Sequence, residues 1–567
     1  MCGIAGILGG NANEVLLTNM LKSQTHRGPD NTGSFISKNA CIGHNRLSII
    51  DLSQSANQPF QDVFKRYQLI FNGEIYNYLE LKSQLNYNFK TNSDTEVLLA
   101  AYLEWGKECL NKLNGMFSFA IFDTKENKLF AARDRFGVKP FYYYNDATTF
   151  YFASEIKALF KTEIIKKPNK KVWANYFLFG SYGLPNETFW EKINQLPGGH
   201  YLEFDQGELN IKKWYFFEEE IKKYTKVKLS YLDAKKEYKD LLKNSIKIRF
   251  RADVPIGFNL SGGVDSSTLL SLVNQEHGTE SVKAFTFYSG DDNYDEIPWV
   301  EEMISYTKNP LEKVLLKITD IEKLANKISY HQDEPFGGIP TIAYANIFKR
   351  AKLLKTKVLL DGQGMDEQWA GYDYYLSKNN TNTIQGLNQS PFKDNVVSEY
   401  LFQYASKPEY PKPFEDELLN KQYRDIFYTK IPRALRFNDR ISMAYSTELR
   451  EPFLDYRLVE FAFSQPLEYK IIDNIQKKMI RDIASESLND NISYAPKRPL
   501  QTPQREWLAK ELQELVTINL NKIKQSEYSN WFNFREIDKE WEQYKKGKNE
   551  SSFHIWQWLN LGLIIGL

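Results

Sequence analysis

A glycine- and serine-rich loop, Ser261-Gly262-Gly263-Val264-Asp265-Ser266-Ser267, follows a short apolar run ending at Leu260 and opens a second one, Thr268-Leu269-Leu270-Ser271-Leu272-Val273. A strand that feeds a helix through such a turn belongs to a layered α/β arrangement. Backbone NH groups at the helix start point outward, glycine admits close approach, and the hydroxyls add donors. The combination makes a cradle for phosphate oxygens. No Gly-Lys-Ser/Thr follows, so it is not a Walker loop. Further strands are expected at Ala284 to Phe287 and at Lys357-Val358-Leu359-Leu360, the latter running into Asp361-Gly362-Gln363-Gly364-Met365-Asp366-Glu367. With both acidic loops at the carboxyl edge of one parallel sheet, Asp265 and Asp366 could share a magnesium ion completed by substrate phosphates.

The first 205 residues have a different texture, with short alternating or apolar runs at 67–71, 116–122, 128–132, 141–144 and 150–153 that read as strands. Ser93-Asp94-Thr95-Glu96 has capping-box spacing and predicts a helix over 97–103. A last strand is expected near 201–204. The chain therefore divides into an α+β unit over 2–208, a linker over 209–229 and an α/β unit over 230–567 that turns mostly helical from about 375.

Seventy-three basic against 72 acidic side chains leave +1, so no global field draws in nucleic acid or an anionic membrane. The apolar C-terminal run from Ile555 is well short of the roughly 20 residues that span a bilayer and predicts a docked segment. Three cysteines, Cys2, Cys41 and Cys109, suit a reducing compartment, and with no signal-peptide pattern at the start the expected location is cytoplasmic.

If Met1 is removed, Cys2 carries a thiol beside a free α-amine whose pKa of roughly 7.7–8.0 lets it serve as general base. A cysteine attacking an amide needs oxyanion donors, and the loop expected after 67–71 offers the Asn72 side chain and the unshielded Gly73 NH. Arg46 is a candidate cation for a substrate carboxylate, Glu74 and Asp94 for an ammonium.

Met1-Cys2-Gly3-Ile4-Ala5-Gly6, His26-Arg27-Gly28-Pro29-Asp30, Arg46-Leu47-Ser48-Ile49-Ile50-Asp51, Phe71-Asn72-Gly73-Glu74-Ile75-Tyr76-Asn77, Ser93-Asp94-Thr95-Glu96 and Arg133-Asp134-Arg135-Phe136-Gly137-Val138-Lys139-Pro140 stand in the order found in class II glutamine amidotransferase domains, which this half resembles. The resemblance implies an Ntn-hydrolase-type sandwich of stacked antiparallel sheets flanked by helices. It makes Cys2 the nucleophile, Asn72 and Gly73 the oxyanion hole, and Arg46, Ile49, Ile50, Asn72, Gly73, Glu74 and Asp94 the glutamine site. Through the two loops above, Asp333-Glu334-Pro335-Phe336, the segment 435–444 and the segment 450–460, the second half resembles the ATP-pyrophosphatase domain of glutamine-hydrolysing asparagine synthetases. By that resemblance Ser261, Gly262, Gly263, Asp265 and Ser266 hold pyrophosphate, and Leu260, Phe287, Asp361 and Gly362 line the nucleoside site. Asp265 and Asp366 bind magnesium, and Lys477 stabilises charge during adenylation. The implied substrates are glutamine, aspartate and ATP, and a homodimer is compatible with the family.

Two departures bear on the acceptor. Asp361 replaces the usual serine, Gln363 stands where many members carry an acid, and an amide cannot act as a base. The segment Phe336-Gly337-Gly338-Ile339-Pro340-Thr341 lacks the Thr and Arg that some members place there for aspartate. A relative that amidates a sugar acid or peptide is therefore the alternative, and a non-catalytic glutamine and ATP sensor a more distant one. Retention of Cys2 separates the chain from β-lactam synthetase relatives.

Overall fold

The computed structural model describes residues 2–146, 148–224, 229–279, 282–376, 390–497, 501–548 and 550–566. Among them twelve strands fill the first part: β1 (Gly3–Gly9), β2 (Asn31–Ile36), β3 (Ala40–Arg46), β4 (Phe60–Gln61), β5 (Tyr67–Ile75), β6 (Gly115–Asp123), β7 (Lys128–Arg133), β8 (Tyr142–Asn145), β9 (Thr149–Ala153), β10 (Asn194–Gln195), β11 (His200–Asp205) and β12 (Glu208–Lys213). They form two six-stranded sheets, β10-β8-β9-β1-β3-β2 and β12-β11-β7-β6-β5-β4, antiparallel throughout. Ile4, Leu8 and Phe152 of one sheet pack on Ile70, Phe122 and Leu202 of the other. Alternation along each strand sends one row of side chains into this layer, and the helices cover the outer faces. This is the expected sandwich.

Three expectations are corrected here. Asn72, Gly73 and Glu74 are not in a loop but inside β5, paired as Asn72↔Ser118, Gly73↔Phe117 and Glu74↔Met116. The strand continues because β6 supplies a full ladder beside it. The strand near 201–204 is not the last one: Gln206 and Gly207 both have positive φ, as a two-residue type I′ hairpin turn requires, and β12 returns along β11. Residues 209–213 of the expected linker thus complete a sheet, Phe217–Tyr224 is a helix, and 225–228 lie outside the described residues. The capping box is half formed. Ser93 caps the helix Asp94–Trp105 by accepting from the Thr95 NH, whereas Glu96 turns away to accept from the NH groups of Lys90 and Thr91.

The second part holds a five-stranded parallel sheet of β13 (Ile256–Asn259), β14 (Lys283–Tyr288), β15 (Leu311–Leu315), β16 (Val358–Leu360) and β17 (Glu448–Arg450). Its order is β15-β14-β13-β16-β17. The winding direction reverses between β13 and β16, and ligands in open α/β sheets bind beyond the carboxyl ends of the strands at such a switch point. Loops 261–267 and 361–367 leave the sheet there. The C-terminal run forms the helix Phe553–Ile565, with Trp556 and Asn560 donating to the Phe336 carbonyl at 2.8 and 2.9 Å. No helix of the described residues is long and apolar enough to cross a membrane.

The two parts share a continuous core, with Phe136 against Phe427 at 5.8 Å between ring centroids. Polar contacts cross as well. Arg27, fully buried, donates to the Cys2 carbonyl at 3.0 Å, to Glu155 at 2.9 Å and to both oxygens of Asp439 at 2.8 and 3.0 Å. Buried pairs of this kind add little net stability, but they fix one arrangement because a misplaced partner leaves a charge uncompensated.

Candidate active sites

Cys2 leads into β1, and the pairing of Gly3 with Asn45 brings Arg46, at the end of β3, to the same sheet edge. The Cys2 backbone nitrogen donates to Asn72 Oδ1 at 3.0 Å, bridging the two sheets. That bond fixes the amide orientation and leaves Asn72 Nδ2 buried with no partner among the described residues. A buried donor without an acceptor is costly unless another molecule supplies one. Along β5, Phe71 NH donates to Gln58 Oε1 at 2.7 Å and Ile75 NH to Asp94 Oδ2 at 2.9 Å. NH groups alternate along a strand, so the Gly73 NH points to the same open edge between them. A Cβ at Gly73 would lie 2.1 Å from the Met116 carbonyl oxygen, so only glycine allows this approach of β5 to β6.

Burial pushes the Cys2 thiol above its ordinary value; the Leu47 NH and the Arg46 guanidinium pull it down, and Glu74 pushes it up. The loop after β3 is tied to Arg46, which donates to the Ser53 carbonyl at 2.7 Å, to Asn57 Oδ1 at 2.8 Å and to the Asp51 carbonyl. Ile49 and Ile50 are buried in this loop, and the Ile49 carbonyl accepts from Asp253 NH of the second part at 2.8 Å. Glu74 and Asp94 converge. Burial and the repulsion of Glu448 and Asp94 hold the Glu74 carboxyl well above the carboxylate range, while burial above all raises Asp94 to about 6. Arg450 stands 3.8 Å from Glu74 Oε2, and the buried carboxyl pair has room to take a further positive charge.

At the switch point, Gly262 has φ +72 and a Cβ there would press on Trp299 at 3.0 Å, so glycine is required. The Ser261 and Ser266 hydroxyls lie 3.1 Å apart, and the Gly263 NH donates to Ser261 Oγ at 3.4 Å. The helix Val264–His277 starts here, its first turn aimed at the loop. Lys477 Nζ lies 2.6 Å from Asp265 and 2.5 Å from Asp366, and Lys497 Nζ lies 2.5 Å from Asp366. The Lys477 and Lys497 ammonium groups hold the Asp366 carboxyl down against its burial, whereas burial keeps Asp265 above its ordinary value. Two carboxylates converging on one point fit a hard cation that takes its remaining ligands from phosphates and water.

Leu260 is buried at the end of β13, and Phe287 is half-buried on β14. The Asp361 carboxylate is already engaged: it accepts from the Tyr344 hydroxyl and from the NH groups of Gly362 and Gln363. Gly362 lies over the helix start, with its virtual Cβ 3.4 Å from the Ser266 nitrogen. Ser261, Gly263, Asp265, Ser266, Gly362, Asp366 and Lys477 are therefore neighbours at the switch point. Lys497, Tyr344 and Gly371 were not singled out from the sequence. A lone lysine or tyrosine carries no motif, and Gly371 matters only because a Cβ there would overlap Asp366 Oδ1 at 2.0 Å and Lys477 Cε at 2.1 Å.

A glutamine amidotransferase domain model matches residues 1–215, and an asparagine synthase model matches residues 237–565, more than half of the chain. The chain belongs to the asparagine synthase family. Among its relatives, a putative glutamine-hydrolysing asparagine synthetase of Methanocaldococcus jannaschii is 38% identical over 66% of this chain and 76% of its own length. Glutamine-hydrolysing asparagine synthetases 3 and 1 of Bacillus subtilis are 29% and 28% identical, over 88% and 98% of this chain and 86% and 95% of their own. As an asparagine synthase family member the chain carries its amidotransferase and ATP-dependent parts in one polypeptide.

Proposed function

We propose that this protein is a glutamine-dependent asparagine synthetase that hydrolyses glutamine, activates the aspartate β-carboxylate with ATP and joins the released ammonia to it. The observation that carries the reading is the segment Glu448–Glu451, which faces both sites. Arg450 approaches Glu74 Oε2 to 3.8 Å, while its carbonyl accepts from Asp361 NH at 3.0 Å. Two chemistries so joined suit a transfer of ammonia between them. Ammonia released to bulk water at neutral pH becomes ammonium and is lost as a nucleophile, which is the need an internal passage between the domains meets. The glutaminase unit runs through β12, and the synthetase unit starts with the helix Tyr231–Arg249. Three free, buried cysteines support a cytosolic placement.

In the first site, with Met1 removed, the α-amine takes the thiol proton and Cys2 attacks the glutamine amide carbon. The oxyanion is received by Asn72 Nδ2 and the Gly73 NH, Arg46 holds the carboxylate, and Glu74 with Asp94 holds the ammonium. Ammonia leaves and water hydrolyses the thioester. In the second site the β-carboxylate attacks the α-phosphate of ATP, the NH groups and hydroxyls of 261–266 hold pyrophosphate, and Lys477 offsets its charge. Asp265 and Asp366 would hold magnesium, which supplies further charge neutralisation on the phosphates. Ammonia then displaces AMP.

The direct test is pyrophosphate release by the purified protein with ATP, magnesium and glutamine, with and without L-aspartate, the products identified by mass. Dependence on aspartate with asparagine formed one for one supports the reading; glutaminase activity without aspartate dependence moves the acceptor to another carboxylate. Two results should accompany it. Asn72→Ala should lower glutaminase kcat by roughly 10²- to 10³-fold, the loss typical of one oxyanion donor, with ammonium-dependent synthesis retained. Because Asp94 titrates at about 6, kcat/KM for glutamine should fall as pH drops through that value. Above it the carboxylate is the anion that takes the substrate ammonium; below it the site is neutral. A profile flat across that range would remove Asp94 from the site.

A further inference from the structure

Glu451 immediately follows β17, where Arg450 is in register with Leu360, so it stands level with the first residue of loop 361–367 at the carboxyl edge of the sheet. It is 5% exposed, and its carboxylate makes no hydrogen bond or ion pair with any described residue. The neighbouring arginines are committed elsewhere. Arg450 donates to Glu448 Oε1 at 2.5 Å and to the carbonyls of Arg249 and Arg251 at 2.6 and 2.9 Å, and Arg457 pairs with Asp455 at 2.8 Å. The charges that face Glu451 come from both domains: Lys139 and Asp134 from the first, Asp361 and Arg249 from the second. Lys139 is itself 1% exposed, and its ammonium makes no hydrogen bond or ion pair with a described residue. A buried carboxyl of the second domain and a buried ammonium of the first thus act on one another electrostatically without forming an ion pair.

A buried carboxyl with no partner is costly, and native proteins retain such groups where chemistry needs them. The reaction has such a need. When ammonia adds to the acyl carbon, its nitrogen becomes positive and must lose a proton. In loop 361–367 the side chain at 363 is an amide, which cannot take it. Resting on the synthetase reading above, we propose that the Glu451 carboxylate receives the proton from the ammonia nitrogen as it displaces AMP. The C–N bond forms, the C–O bond to AMP breaks with its electron pair leaving on the phosphate oxygen, and one N–H proton passes to Glu451 and then to water. Burial raises this carboxyl to about 8, with Lys139 and Arg249 pulling it down and Asp361 and Asp134 pushing it up. A value near working pH suits a group that takes and returns a proton each cycle.

The test separates adenylation from amide formation in the full-length protein. Aspartate-dependent exchange of labelled pyrophosphate into ATP reads the first step, and asparagine formed from ammonium chloride reads both. Glu451→Gln should lower asparagine formation by roughly 10²-fold, the contribution of a general base, while exchange and glutaminase stay within about twofold of wild type. Glu451→Asp keeps the carboxylate and should give an intermediate amide rate; it carries the test if the amide variant does not fold. Asparagine formation by Glu451→Gln within about threefold of wild type would overturn the inference, as would exchange and amide formation falling together. Wild-type protein with no aspartate-dependent exchange would overturn the synthetase reading, and the inference with it.

Discussion

Replacing Cys2 with alanine should lower glutamine-dependent asparagine formation by roughly 10³-fold or more, while formation from ammonium chloride stays within about twofold of wild type. The asymmetry follows from where Cys2 sits. Its backbone nitrogen and carbonyl are held by Asn72 and Arg27 at 3.0 Å each, bonds that alanine keeps, and the side chain removed is small. Nothing that touches Asp265, Asp366 or Lys477 changes. Paired assays on one preparation decide it. Undiminished turnover of glutamine would remove Cys2 from the chemistry, and parallel loss with both nitrogen sources would mean that the substitution disturbs the whole fold.

Lys477→Met should have the opposite pattern, with aspartate- and ATP-dependent pyrophosphate release down by roughly 10²- to 10³-fold and glutaminase unchanged. Lys477 holds φ +57 at the start of the helix Lys478–Ala484, and its NH donates to the Trp369 carbonyl at 3.2 Å, so the backbone delivers the ammonium to the two aspartates. Removing it leaves Lys497 as the one cation ion-paired with either aspartate among the described residues, and it pairs with Asp366. The phosphates then lose a fixed positive charge, and the aspartates repel one another more strongly. Pyrophosphate release that survives the substitution would assign the charge stabilisation to Lys497.

What the sequence reveals depends on how local the signal is. The phosphate loop is read from seven consecutive residues because the turn, the glycines and the hydroxyls lie in one stretch. The nucleophile site is assembled from β1, β3, β5 and the start of the helix Asp94–Trp105, and only the family resemblance unites those pieces. Asn72-Gly73 illustrates the limit: as a dipeptide it reads as a turn, yet its place inside β5 is imposed by β6, more than forty residues on. Glu96 likewise has capping-box spacing, and the NH groups of Lys90 and Thr91 compete for it successfully. Contacts between the domains leave no local trace, because Arg27 and Asp439 lie 412 residues apart. The same holds for Glu451: the arginines near it in sequence, Arg450 and Arg457, bond Glu448 and Asp455 instead.

The central claim is that one chain moves the amide nitrogen of glutamine onto aspartate at the expense of ATP. The most direct measurement is turnover with amide-¹⁵N-labelled glutamine, aspartate, ATP and magnesium in the presence of excess unlabelled ammonium chloride, with asparagine analysed by mass. The account predicts asparagine that carries the label, in step with glutamate, AMP and pyrophosphate. Asparagine drawn from the unlabelled pool would contradict transfer between the two sites, and no asparagine at all would contradict aspartate as the acceptor.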